Sequence, residues 1–254
     1  MSRTLFALLL AASVFAACSP NNVTVDDSLQ RYFDSAGVKG SFALFDNGQG
    51  HFTIYNLPRY KDSAYAPGRT FDIMQALVAL QTGVVKDDTS IKRAFQDTTR
   101  SGNVDFVRLS AQIGKDTLKK WIDSLRYGNR DLGGPVDSFW FDDHLKVTSD
   151  EQLGLIKRLY FDQLPFYNRP QQLVRGIMPA EINSNYRLVY KTGQTTKEDG
   201  HALGWVLGWV EENKHPYFFV LNLESEDRSK DLGTTGLHIV KNILKPMGFF
   251  EGKK

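Results

Sequence analysis

Lys191-Thr192-Gly193 closes a run that begins at Tyr186, and the runs Ala202-Leu203-Gly204-Trp205-Val206-Leu207-Gly208-Trp209-Val210-Glu211 and Tyr217-Phe218-Phe219-Val220-Leu221-Asn222-Leu223 follow it. All three are rich in β-branched and aromatic residues and contain no proline, so each reads as a strand. Leu237 to Leu244 beyond them reads as a closing helix. Towards the N-terminus, Gly40 to Asp46 and His51 to Tyr55 flank Asn47-Gly48-Gln49-Gly50, and Asn-Gly in that place signals a hairpin. Asp27 to Phe33 has helical spacing that Ala36-Gly37 ends. Thr70 to Thr82 carries Phe71, Ile73, Met74, Leu77, Val78 and Leu80, dense enough for a helix buried on most sides, and Gly83 stops it. Leu118, Ile122 and Leu125 lie at i, i+4 and i+7 behind a capping Asp116, which predicts an amphipathic helix over Thr117 to Arg126. Ser149-Asp150-Glu151-Gln152 resembles a capping box ahead of Leu153, Ile156 and Leu159. Two early strands, a helical middle, three late strands and a final helix predict an α+β domain, one antiparallel sheet with helices on its faces.

The chain has 254 residues, 41% hydrophobic and 24% charged, which excludes a disordered tail, a collagen-like repeat and a polytopic membrane protein. With 31 Lys+Arg against 29 Asp+Glu, the net charge of +2 gives no reason to expect nucleic acid as a partner. No internal repeat or break in composition divides the chain, so 27–254 is expected to form one domain. The lone cysteine, Cys18, excludes an intrachain disulfide and a cysteine-based zinc site. It follows Arg3, an apolar run from Leu5 to Ala17, and Phe15-Ala16-Ala17. That is a secretory signal, too short to stay in a bilayer as a spanning helix. The arrangement resembles a bacterial lipoprotein signal. Residues 1–17 are then expected to be cleaved, Cys18 to become the lipid-modified N-terminus, and 18–26 to tether the domain to a membrane of the cell envelope, facing the periplasm or the outside.

There is no Gly-rich phosphate loop and no H-E-x-x-H, and His51, His144, His201, His215 and His238 lack ligand spacing. No cofactor or metal is expected, and Asp142-Asp143-His144 reads as a solvated loop. The Lys-Thr-Gly triplet has company, however. Tyr127-Gly128-Asn129 opens a glycine-containing loop, Phe139-Trp140-Phe141 precedes the capped helix, and Pro67-Gly68-Arg69-Thr70-Phe71-Asp72 opens the dense one. In this order the motifs resemble the class D (oxacillinase-type) serine β-lactamases and the related sensor domains of β-lactam receptors, members of the penicillin-recognising superfamily. The likeness runs from about Gly40 to the C-terminus. It implies the serine β-lactamase fold and an active-site helix opening with S-x-x-K, whose serine is acylated and whose lysine, often carbamylated, is the general base.

At the matching positions stand Arg69 and Asp72. A guanidinium stays protonated and cannot attack a lactam carbonyl. Thr70 is one residue on, which turns it roughly 100° around the helix and away from the site. Ser101-Gly102-Asn103 matches the family's S-x-V, with Asn103 in place of valine, and a Ser101/Lys191 dyad is the one remaining route to hydrolysis. The family's carboxylate-binding arginine aligns with Gly236, with Arg228 nearby, and the segment from Ile91 to Ser101 is shorter than in the family. At i, i+3, Arg69 and Asp72 are placed to form an ion pair filling the old pocket, with Lys191 as a second cation. The resemblance gives Trp140 an indole N–H that bonds the carbamylated lysine in active members; here Asp72 is the expected acceptor. Trp121, Trp205, Trp209, Tyr217, Phe218 and Phe219 read as packing residues.

The expected function is that of a catalytically inactive, lipid-anchored member of the class that binds a β-lactam or a peptidoglycan-derived peptide without forming an acyl-enzyme. The alternatives are a weak β-lactam hydrolase using Ser101 and Lys191, and a structural envelope lipoprotein that serves as a scaffold for a protein partner.

Overall fold

The structure, a computed structural model, describes residues 22–87, 89–96 and 100–254. The expected signal peptide, Cys18 and the first part of the tether lie outside the described residues. Among those described, no helix is long and apolar enough to cross a membrane.

The predicted hairpin forms as strands β2 (Lys39–Asp46) and β3 (His51–Tyr55), with Phe45 opposite Phe52. Strand β1 (Val23–Val25) lies parallel to β3. The three C-terminal runs become β7 (Arg187–Thr196), β8 (Ala202–Glu212) and β9 (His215–Ser225), preceded by the short β6 (Ala180–Ile182). Together they form a seven-stranded sheet in the order β1-β3-β2-β9-β8-β7-β6. The sheet is mixed, because the β1–β3 pair is parallel while the other neighbours are antiparallel.

Alternation along the central strands feeds two cores. On β8 and β9, Trp205, Leu207, Trp209, Phe218 and Val220 face the helical middle of the chain. Val206, Val210, Phe219, Leu221 and Leu223 face the other side. That second side is covered by helix α1 (Gln30–Ala36), which Gly37 ends in the left-handed conformation, and by the C-terminal helix (Leu232–Leu244). Both faces of the sheet are therefore buried, as the near-continuous apolar runs require.

The middle of the chain supplies α2 (Leu57–Asp62), α3 (Asp72–Thr82), α4 (Thr89–Gln96), α5 (Arg100–Ile113), α6 (Lys115–Leu125), α7 (Ser149–Tyr160) and α8 (Asn168–Ile177), before the C-terminal helix, α9. The α3 helix is buried on nearly every side, as its sequence predicts, and Gly83 (φ 77°) ends it. Two starts differ from expectation. Gly114 is the N-cap of α6, so Asp116 sits inside the first turn, where its charge favours the positive end of the helix dipole but caps nothing. The capping box of α7 is Thr148 with Glu151, one residue ahead of the expected Ser149. Two-residue strands β4 (Ala64–Tyr65) and β5 (Val147–Thr148) pair with each other and draw the start of α7 towards the start of α3.

Candidate functional site

The chain enters α3 through a tight 3-10 turn, Gly68–Phe71. This turn lies against β7. A Cβ on Gly193 would stand 2.7 Å from the Thr70 nitrogen and 2.9 Å from Thr70 Cγ2, and only a glycine lets the Lys-Thr-Gly strand come so close. The other side of the turn is fixed by Gly68, whose N–H donates to the Trp140 carbonyl at 2.9 Å, and by Trp205, whose indole N–H donates to the Ala66 carbonyl at 2.9 Å. Segments far apart in sequence thus meet at the start of α3.

Three charged side chains converge there. Arg69 donates to Asp72 Oδ2 through Nε at 3.2 Å and Nη2 at 3.0 Å, and Lys191 Nζ donates to the same oxygen at 2.8 Å. Asp72 is completely buried, Lys191 is 4% exposed and Arg69 9%. The expected Arg69–Asp72 pair is present and Lys191 completes it. Burial, with the neighbouring Arg69 guanidinium, pushes the Lys191 ammonium below its ordinary range, and Asp72 pulls it back only in part.

The cluster is closed from above by α4, a contact with no counterpart in the sequence reading. Arg69 Nη2 donates to the Ala94 carbonyl and Lys191 Nζ to the Phe95 carbonyl, both at 3.0 Å. The Phe95 ring lies 4.3 Å from the Lys191 ammonium. Both carbonyls belong to buried residues of α4, Thr89–Gln96. Ile91, Ala94 and Phe95, at i, i+3 and i+4, are the buried face of that helix. Their spacing was the signal for it; carbonyl contacts leave no mark in a sequence.

Thr70 does not face this cluster. Its hydroxyl donates to the Pro67 carbonyl at 2.7 Å and accepts from Gln152 Nε2 at 2.8 Å, and Gln152 Oε1 accepts from the Tyr127 hydroxyl at 3.1 Å. Thr70, Gln152 and Tyr127 are all buried, and burial together with the Glu151 charge raises the Tyr127 phenol far above its usual value. Tyr127 is thus tied to the back of the turn. Gly128 (φ 59°) passes so near Lys146 that a Cβ would stand 2.2 Å from its carbonyl oxygen. Asn129 then closes the loop, donating to the His144 carbonyl at 2.7 Å and accepting from the Lys146 N–H at 3.0 Å.

One expected bond is missing. Trp140 Nε1 and Asp72 Oδ1 are both buried without a hydrogen-bond partner. Trp140 is fixed by stacking on Phe71 (5.5 Å) and by the edge of Phe139 (5.0 Å), while the short Asp72 side chain is drawn by its other oxygen towards two cations. Packing on one side and charge on the other keep the two groups from pairing. Ser101 and Asn103 fall in the first turns of α5, but their side chains lie outside the described residues. Position 236 faces the sheet, where a Cβ would stand 2.6 Å from Val206 Cγ2, so it cannot present a long side chain to the cluster. Arg228 is occupied by the Gly200 carbonyl. Thr192 lies on β7 beside the closing helix, its Cβ 3.6 Å from where a Gly233 side chain would begin.

A second charged cluster sits at the β7–β8 turn. Asp199, His201 and Glu224 bring ligand-type atoms within 4.8 Å of one another. Lys197 Nζ lies 2.7 Å from both Asp199 and Glu224, and Arg59 lies 3.0 Å from Glu224, so fixed cations already neutralise these acids.

A two-faced α+β sheet, with a buried lysine on a Lys-Thr-Gly strand laid against the start of a buried helix, defines the penicillin-recognising class of domain. Residues 94–247 match the family described as the penicillin binding protein transpeptidase domain. β-Lactamase OXA-20 of Pseudomonas aeruginosa is 31% identical over 247 residues, 89% of this chain and 90% of that protein. The structure of the class D β-lactamase YbXI from Nostoc superposes with a TM-score of 0.79 at 30% identity, covering 88% of this chain and 99% of that one. The C-terminal domain of the Bacillus licheniformis BlaR penicillin receptor does so with a TM-score of 0.80 at 26% identity, covering 91% and 98%. The chain belongs to the class D β-lactamase and penicillin-binding transpeptidase family.

Proposed function

We propose that this protein is a non-acylating member of its family, which binds a β-lactam or a peptidoglycan-derived peptide without covalent chemistry. The observation that carries this reading is the shared Asp72 oxygen. Arg69 and Asp72 stand where the family resemblance puts the serine nucleophile and its lysine base, and with Lys191 they form a closed, buried ion cluster. Neither a guanidinium nor a carboxylate held by two cations supplies an acylating oxygen with a base beside it. The proposal extends to location: export through residues 1–17 and a lipid anchor at Cys18 would place the domain at a membrane surface of the cell envelope.

A second reading, weak hydrolysis through Ser101 and Lys191, draws support from the relatives named as β-lactamases and from the depressed Lys191 ammonium, which suits a general base. Against it, the Lys191 Nζ is bonded to Asp72 and to the Phe95 carbonyl. The reversal variant Arg69→Ser/Asp72→Lys tests the proposal. Intact-mass analysis with benzylpenicillin should show an acyl adduct on the double variant and none on the wild type. An adduct on the wild type overturns the proposal.

A further inference from the structure

The two carbonyls that close the cluster are placed as an anionic ligand would be. Ala94 O on Arg69 Nη2 and Phe95 O on Lys191 Nζ are both 3.0 Å contacts and come from adjacent residues of one strand of backbone. They offer a pair of oxygens to a pair of cations, the pattern in which a carboxylate meets basic side chains. A backbone carbonyl carries only partial charge, whereas a carboxylate carries a full one.

Among the described residues, α4 meets the rest of the molecule through its buried Ile91, Ala94 and Phe95 and through Gln96. Gln96 Nε2 donates to the Ile177 carbonyl at 3.0 Å, and the Phe95 ring meets the edge of Phe106 at 6.0 Å. Lys191 adds a contact beneath the Phe95 ring. The two cations are thus part of the surface that the helix covers.

From this we propose that the Ala94–Phe95 backbone of α4 is a built-in pseudo-ligand: a carboxylate-bearing ligand binds by displacing the Ala94 and Phe95 carbonyls from Arg69 and Lys191, so binding and opening of α4 are one equilibrium. The inference rests on the non-covalent reading above and adds to it the ligand's required charge and the element that regulates access. If closed molecules predominate, the apparent dissociation constant is the intrinsic one divided by the open fraction. Loosening α4 then tightens binding, and Gln96→Ala loosens it without touching either cation.

Benzylpenicillin and its uncharged methyl ester are the probes, applied to the wild type, Phe95→Ala and Gln96→Ala. Binding is read by calorimetry, and opening by hydrogen exchange of the amides in 91–96. The free acid should bind and accelerate exchange in α4, the ester should do neither, and both variants should lower the apparent dissociation constant, Phe95→Ala by roughly tenfold or more. Gln96→Ala, which removes one bond from an exposed side chain, keeps the test available if Phe95→Ala does not fold. Binding of the acid with unchanged α4 exchange and unchanged variant affinities overturns the gate and leaves the non-covalent reading standing. Equal binding of the ester overturns the charge requirement. No binding to the wild type or to either variant overturns both, and a covalent adduct overturns the reading on which the inference rests.

Discussion

Asp72→Asn is the sharpest perturbation of the cluster, because it removes one charge, changes the size of the side chain hardly at all, and leaves Arg69 and Lys191 facing each other without their shared carboxylate. Removing one partner of a buried ion pair costs about 3–5 kcal/mol. Asp72 is wholly buried and serves two cations through one oxygen, so the upper half of that range applies; its unpaired Oδ1 works in the other direction by lowering the wild type's own stability. A loss of about 4 kcal/mol corresponds to a drop of roughly 8–16 °C in Tm for a domain of this size. The effect has a pH signature. Lys191 titrates below 10.5 in the folded state, so the unfolded chain holds the extra proton between the two values and stability rises with pH through that window. Without the Asp72 charge, which opposes this depression, Lys191 releases its proton at lower pH. The destabilisation by Asp72→Asn should therefore shrink as pH rises from 7 towards 10. Urea unfolding of both proteins across that range measures it. A loss below about 1 kcal/mol at pH 7, or a loss that does not change with pH, refutes the buried ion cluster.

Gln152→Ala cuts the chain from Tyr127 to Thr70 and strands a buried phenol, which should cost about 2–4 kcal/mol in urea unfolding. Gly128→Ala forces a Cβ against the Lys146 carbonyl at a left-handed backbone position, and a clear drop in Tm is expected. Glu224 titrates at about 2 rather than 4.5, because bonds from Lys197, His201 and Arg59 outweigh the effect of burial. Its stabilisation is complete above pH 4.5 and is lost as pH falls from 4.5 towards about 2. Acid titration of Glu224→Gln should show a flatter stability profile in that window than the wild type.

Much of the fold is legible along the chain. The β2–β3 hairpin is where Asn47-Gly48 puts it, and the long β7, β8 and β9 announce themselves because burial on both faces demands unbroken apolar runs. Strands β1, β4, β5 and β6 are only two or three residues long and exist because a neighbour offers a ladder, so nothing local specifies them. The site is legible to the same depth. Arg69 and Asp72 can be paired from their spacing, and Lys191 from its motif. Gln152, a polar residue at an inward position of α7, owes its role to Thr70 and Tyr127, both distant in sequence. The Ala94 and Phe95 carbonyls carry no residue identity at all. Trp140 shows the opposite failure: its motif is readable, but packing on Phe71 and Phe139 holds its N–H away from the expected acceptor.

On the proposed non-acylating reading, the covalent chemistry is replaced by the charge pair of Arg69 and Asp72, with Lys191 drawn into it. Incubation of the wild type and Ser101→Ala with a fluorescent penicillin, followed by denaturing electrophoresis, tests that claim most directly. The closed cluster predicts no covalent band in either protein, and a band in the wild type that disappears in Ser101→Ala would contradict it.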